Sequence, residues 1–278
     1  MDKKISFFWG NDTMSWLRYM SLWTFRKLNP DWDMRLFVCG QRRTKKYWKT
    51  PEQQDFFTYT GPDYTDRLDD IAGLQVIPWE VEKVSLQNLG PSHKSNFFKW
   101  GLLAKESGVY ADLDIVFIRS ANNWLRHVGG HDVAICYRQP PRNYFSIGLL
   151  GSSGRGQFYN DVYQESMRGF GPGTYQSAGV EAIYRLTRKL PGPDHWRKLV
   201  RRYSRAKFID FDKHFVYPWG CSQIPEMTVK LHTTVPAKTF GIHWYAGHPT
   251  AQQLNSVLNE DTVKTNQSTV AHFLRSVL

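Results

Sequence analysis

Cysteine is scarce in this 278-residue chain, with Cys39, Cys136 and Cys221 far apart in apolar or mixed surroundings. Three such residues neither pair into a disulfide framework nor space like a zinc site, which fits a reducing compartment. Long hydrophobic runs are missing too. The apolar stretch in MDKKISFFWG is too short for a signal peptide, and nothing approaches a transmembrane helix, so the expected location is the cytoplasm, a host's if the protein is virus-encoded. There is no Ser/Gly-rich linker, low-complexity tract or internal repeat. One domain is therefore expected over 1–278, large enough to bury a substantial core.

What is plentiful is positive charge and aromatic surface. The net charge is +11, and 11 tryptophans in a polar, basic chain suggest stacking surfaces for sugars or bases as well as core. The charge is uneven: one cluster is Arg42, Arg43, Lys45, Lys46 and Lys49, and a second runs from Arg185 to Lys207. Within the second, Arg197, Arg201 and Arg205 share a helical face, with Lys198 and Arg202 beside them. That face is either simply solvated or a footprint for a polyanion such as nucleic acid, an acidic glycan or an anionic membrane surface.

The order of elements begins as a βαβ unit. Ile5–Trp9 reads as a strand, Gly10-Asn11-Asp12-Thr13 as a turn and cap, Trp16–Leu28 as a helix stopped by Asn29-Pro30, and Arg35–Cys39 as the next strand. Such a unit implies a parallel sheet with ligands at the carboxyl ends of its strands, next to Trp9, which could equally be core. A helix follows around Phe97, Trp100, Leu103 and Ala104, closed by Gly108. The run Val109–Ile118 then reads as one buried strand interrupted by Asp112 and Asp114. Two carboxylates on a short apolar segment repel unless a cation lies between them, and hard oxygen donors suit Mg²⁺ or Mn²⁺. The triplets Asp31-Trp32-Asp33 and Asp210-Phe211-Asp212 have the same form without the apolar context.

Further on, Asn143–Ser152 reads as a strand, Gln157–Met167 and Gln176–Lys189 as helices, and Phe208–Phe211 and Phe215–Tyr217 as short extended pieces. The glycine-rich 169–173 turn is no phosphate loop, since no lysine follows it in place. Phe240–Trp244 is the last strand. His243, at its end, is either a satisfied core histidine or a ligand. Thr250–Leu258 and Thr269–Leu278 close the chain as helices.

Asn96, Lys99, Ser107, Gly108, Tyr110, Asp112 and Asp114 stand where one known family carries an Asp-x-x-Arg helix leading into a Gly-Gly-x-Tyr-x-Asp-x-Asp strand. Phe8-Trp9-Gly10, Leu28-Asn29-Pro30-Asp31-Trp32, Phe215-Val216-Tyr217-Pro218 and Ile242-His243-Trp244 follow its other segments in order. The chain thus resembles the DXD-containing glycosyltransferases that include initiating α-mannosyltransferases and to which glucosylating bacterial toxins are related. The resemblance implies an α/β fold of GT-A type: a mixed, mainly parallel, Rossmann-like sheet flanked by helices. It implies a nucleotide-sugar-binding half at 1–120 and an acceptor-side half at 121–278. It further implies a UDP- or GDP-sugar donor, Mn²⁺ or Mg²⁺, and retention of configuration as in the family.

By that resemblance Asp114 and His243 ligate the metal, with Asp112 on the metal or the donor. Trp9 stacks on the base, Asn96 and Lys99 meet the donor sugar, Tyr110 supports the motif, and Ser146 and Gln176 are weaker candidates near the sugar. Asn96 and Lys99 depart from the family's aspartate and arginine, and a lysine cannot reproduce arginine's bidentate grip. The expected activity is metal-dependent sugar transfer to a hydroxyl of a polysaccharide or polyanion, hydroxymethylated DNA included. Two other readings use the same residues. One is a nucleic-acid-binding module with a structural aspartate pair; the other is a metal-dependent nuclease or phosphatase, for which Glu80 and Glu106 are poorly placed.

Overall fold

The structure is a computed structural model that describes residues 1–10, 12–40, 59–80, 89–137, 144–187 and 194–278. The basic cluster at 42–49, the loop Arg138–Arg142, and Arg188 and Lys189 lie outside the described residues.

The chain opens as expected, with β1 (Lys4–Trp9), α1 (Trp16–Leu28) and β2 (Asp33–Cys39). Ser15 begins α1 by accepting the Arg18 N–H, and Asn29 ends it. The Asn29 amide also accepts from Ser120 Oγ at 3.0 Å and the Ala121 N–H at 2.8 Å. One residue therefore stops the helix and ties it to the chain beyond the aspartates. β3 (Leu74–Trp79), α2 (Pro91–Lys105), β4 (Ser107–Ala111), β5 (Ile115–Phe117) and α3 (Asn122–Val128) follow. The second half supplies β6 (Val133–Cys136), β7 (Ser146–Ser153), α4 (Gln157–Arg168), α5 (Val180–Leu186), α6 (His195–Arg202) and β8 (Phe208–Asp210). It closes with α7 (Ile224–Val229), β9 (Gly241–His243), α8 (Pro249–Val257) and α9 (Thr269–Arg275).

Among the described residues, seven strands form one sheet in the order β3-β2-β1-β4-β7-β6-β8. Only β7 runs against the rest, being antiparallel to both β4 and β6. The mixed, mainly parallel sheet implied by the family resemblance is therefore present. Its two faces show in β1, where Ile5, Phe7 and Trp9 enter one apolar cluster with α1, α3, α8 and α9, and Phe8 enters another with α2, α4, α5 and α6. On the first face Phe25 is fully buried among Phe7, Phe117 and Trp32. Among the described residues, no helix is long and apolar enough to cross a membrane.

Three local expectations are corrected. Gly108 does not close α2, which ends at Lys105 with Glu106 as its cap; it lies in β4 at φ +141°, where a Cβ would sit 2.8 Å from the Lys4 carbonyl oxygen. Close strand approach, not helix capping, calls for glycine there. Among its described residues, Gln176–Lys189 is helical only over α5, because 176–179 forms a turn in which the Gln176 carbonyl accepts from Gly179 and Glu181. Phe215–Tyr217 is not extended either. The Asp212 side chain accepts the His214 N–H and starts a 3-10 turn at Lys213–Phe215.

The aspartate segment is corrected as well. Val109–Ile118 is not one strand: β4 stops at Ala111, a turn passes through Leu113 and Asp114, and β5 leaves the main sheet to pair with β9. A continuous core strand would bury two adjacent carboxylates, which is costly. Changing sheets leaves both at the carboxyl edge instead.

Candidate active site

β1 has β2 on one side and β4 on the other, while the chain connects β1 first to β2. That makes the gap between β1 and β4 a topological switch point, where open α/β sheets leave a crevice beyond the strand ends. Trp9 ends β1 there, and Asp112 follows β4 directly.

Asp112 is still in register with β7, its N–H donating to the Gly148 carbonyl at 2.7 Å. Its Oδ1 accepts from Tyr110 OH at 2.6 Å and Lys99 Nζ at 3.1 Å, and Lys99 also donates to the Ile147 carbonyl at 3.2 Å. Ser95 lies 2.9 Å from the Tyr110 hydroxyl. Burial first, and then the charge of Asp112, push the Tyr110 hydroxyl well above its ordinary pKa. It remains protonated and donates.

Asp114 is fixed from the other side. Its backbone oxygen accepts the Trp244 N–H at 2.8 Å, and its Oδ2 accepts the Ala246 N–H at 3.0 Å. Between these contacts Tyr245 takes φ +55°, a left-handed conformation unusual for a non-glycine residue. That turn brings the Ala246 N–H back onto the carboxylate. Burial alone would raise the Asp114 pKa, but His243, Arg18 and the Ala246 N–H outweigh it and hold the group below the usual carboxylate range.

His243 Nε2 lies 3.2 Å from Asp114 Oδ1 in a close approach rather than an aligned hydrogen bond. Its ring is 4.2 Å from that of Tyr245 and 5.3 Å from that of Tyr217. It occupies the space above Gly148, where a Cβ would be 3.1 Å from both Nε2 and the Tyr217 oxygen.

One donor atom from each of Asp112, Asp114 and His243 lies within 4.8 Å of the others, and among the described residues no other group of three acidic, histidine or cysteine side chains does this. Buried Asp114 Oδ1 and His243 Nδ1 have no hydrogen-bond partner among the described residues. Two carboxylates and an imidazole with an unsatisfied buried oxygen fit a divalent cation.

Asn96 and Gln176 are brought together around Gly179. A Cβ on that glycine would be 2.9 Å from Asn96 Nδ2 and 2.7 Å from Gln176 Oε1. Trp100 Nε1 fixes the segment by donating to the Ala178 carbonyl at 2.8 Å. Ser146 is buried opposite Cys136 on the β6–β7 ladder. Trp9 is 8% exposed, and its indole N–H donates to the Asp12 carbonyl at 3.0 Å.

The basic face is not brought to this site. α6 begins at the carboxyl end of the sheet, where Trp196 stacks 6.0 Å from Tyr137. Its last turn and Lys207 lead into the amino end of β8, opposite the aspartates. Arg197 pairs with Asp194, and Arg202 donates to the Leu186 carbonyl, while Arg201 and Arg205 are exposed.

Arg18 was not singled out by sequence reasoning. It lies in the first turn of α1 with its guanidinium carbon 5.2 Å from the Trp9 ring centre and 5.6 Å from that of Trp244. Burial lowers its pKa against the opposing charges of Asp114, Asp112 and Asp12. The available signal was a basic residue one turn into a helix that starts beyond a strand's carboxyl end.

Residues 15–129 match the family model described as "Glycosyltransferase sugar-binding region containing DXD motif". The matched stretch contains both aspartates, and its description agrees with the family that the residues resemble. No curated protein matches the sequence. Among solved structures the chain is similar to PaToxG glycosyltransferase, at 14% identity over 100% of this chain and 86% of that one, with a TM-score of 0.44. It is similar to the apo form of the glycosyltransferase GlyE from Streptococcus pneumoniae TIGR4, at 9% identity over 100% of this chain and 64% of that one, with a TM-score of 0.47. It is also similar to galactosyltransferase LgtC in complex with donor and acceptor sugar analogs, at 11% identity over 94% of this chain and 99% of that one, with a TM-score of 0.44. The chain spans less than two thirds of the length of the GlyE chain.

Proposed function

We propose that this protein transfers a sugar from a UDP- or GDP-sugar to a hydroxyl of a polysaccharide or polyanionic acceptor, with Mn²⁺ or Mg²⁺ held by Asp112, Asp114 and His243. The observation that carries this reading is the meeting of those three side chains, from β4's end and β9, at the switch point of a sheet that bears a DXD glycosyltransferase region. A cation there would neutralise oxygens of the donor diphosphate.

The chain's own groups divide the remaining work. Lys99 and Tyr110 orient Asp112, while Ala246 N–H and the Tyr245 turn orient Asp114. Asn96, Gln176 and the small Gly179 border the space for the donor sugar, with Ser146 further along β7, and Trp9 borders the space for the base. Residues 1–120 form the donor side, and 121–278 contribute His243 and the acceptor side. No side chain of the described site is placed as an obvious covalent nucleophile, and retention is proposed without one.

Arg197, Lys198, Arg201, Arg202 and Arg205 would meet an acceptor long enough to reach across the sheet, roughly 25 Å for an eight-residue strand such as β7. Hydroxymethylated DNA satisfies both the charge and the length. A cytoplasmic setting belongs to the same proposal. The test is a panel of UDP- and GDP-sugars with Mn²⁺, with and without hydroxymethylated DNA, followed by nucleoside diphosphate release and sugar incorporation. Sugar on the DNA supports the full reading; release with incorporation only into glycans reassigns the acceptor.

A further inference from the structure

We infer that Arg18 is a donor-binding residue whose guanidinium, lodged between Trp9 and Trp244, engages the diphosphate of the nucleotide sugar and the nucleoside diphosphate that departs. This rests on the function proposed above. Arg18 sits where two independent sources of positive potential coincide. It is in the first turn of the 13-residue helix α1, and that helix end faces the carboxyl edge of the sheet. The Trp9 and Trp244 rings hold its guanidinium, so the side chain is already ordered before a ligand arrives.

Its polar capacity is not used by the described residues. Among the described residues, no carboxylate forms an ion pair with Arg18 and no carbonyl accepts from its guanidinium. The neighbouring charges are Asp112, Asp114 and Asp12, yet Asp112 is bonded by Lys99 and Tyr110, and Asp114 by the Ala246 N–H. A divalent cation would cancel the two site carboxylates. The charge of Arg18 would then be left for an anion, and five fixed N–H donors suit phosphate oxygens. Transfer breaks the bond between the sugar's anomeric carbon and the diphosphate oxygen, the bonding pair leaving with that oxygen, while the acceptor hydroxyl oxygen bonds to the same carbon and gives up its proton to the departing diphosphate. Negative charge thus grows on the group that Arg18 faces.

The experiment compares wild-type protein with Arg18→Met and Arg18→Lys. Calorimetry would measure binding of UDP, GDP and the corresponding nucleosides with Mn²⁺ present, and electron paramagnetic resonance would measure Mn²⁺ binding without nucleotide. Thermal melting would confirm that each variant is folded. Expected for Arg18→Met is a loss of about 10- to 100-fold in nucleoside diphosphate affinity, unchanged nucleoside affinity, and Mn²⁺ binding that is equal or tighter. Arg18→Lys should fall between the two. Nucleoside diphosphate affinity that survives Arg18→Met, with only Mn²⁺ binding altered, would show a mere counter-ion to the carboxylates and overturn the inference alone. A wild-type protein that binds neither nucleoside diphosphate overturns the proposed function and this inference with it.

Discussion

Asp112 receives two hydrogen bonds from its own neighbours, whereas Asp114 Oδ1 and His243 Nδ1 receive none among the described residues. On the proposed function, that asymmetry gives Asp114 and His243 the larger share of metal binding, and it makes the two aspartates separable by mutation. Asp114→Asn is expected to lower Mn²⁺ affinity and nucleoside diphosphate release by roughly 100-fold or more, as measured by metal titration and turnover. Gly148→Ala is subtler. Its methyl would press on the imidazole and on Tyr217 at 3.1 Å, so the protein should fold with a stability loss of about 1–3 kcal/mol while Mn²⁺ binding weakens. Unchanged Mn²⁺ affinity in Gly148→Ala would show that the imidazole position is not critical. The aspartates were legible in the sequence because charge interrupts an apolar run. Gly148 and Arg18 were not, since their meaning depends on what β9 and Trp244 bring across the site from about a hundred residues away or more.

Elements supply the next level of control. Glu165 on α4 is 6% exposed and accepts from Arg185 of α5 at 3.1 Å, while the same arginine donates to the Ser177 carbonyl at 2.7 Å. This clamp fixes the turn that carries Gln176 and Gly179 beside Asn96. Arg185→Met leaves a buried carboxylate short of a partner, so a stability loss of roughly 2–3 kcal/mol is expected in chemical denaturation, with donor affinity falling more than Mn²⁺ affinity. Equal losses in both affinities would place the effect on the whole fold instead.

The turn at Lys213–Phe215 is expected to respond to pH. Burial would raise the Asp212 pKa, but hydrogen bonds from Lys238 and His214 outweigh it and bring it down to about 2. A carboxyl whose pKa is lower folded than unfolded stabilises the fold above its unfolded value, near 4, and loses that contribution as pH falls toward 2. Asp212→Asn should therefore flatten the stability curve between about pH 4 and 2, as followed by thermal melting. The sequence predicted an extended piece here because its apolar residues suit a strand. The competing local signal was the bond that the His214 N–H donates to the Asp212 carboxylate, which only a capping reading would have favoured.

Across the whole molecule, sheet order and strand direction separate the two features most visible in the sequence. The aspartates lie at the carboxyl ends of the strands, and the last turn of α6 lies toward their amino ends. Replacing Arg201 and Arg205 with Gln should therefore reduce the salt dependence of polyanion binding, by a slope of about one per lost phosphate contact, without changing nucleoside diphosphate release in the absence of acceptor. The βαβ start, the helix before the aspartates and the closing helices could be read from periodicity and caps. The reversal of β7 could not, because no local pattern records which strands become neighbours.

The most direct measurement of the central claim is nucleoside diphosphate release from a panel of UDP- and GDP-sugars, made with Mn²⁺, with chelator and with Asp114→Asn. The account predicts release from at least one donor in the wild type with Mn²⁺, and its loss in the other two conditions. Failure of every donor to bind or turn over, or equal release by Asp114→Asn, would contradict it.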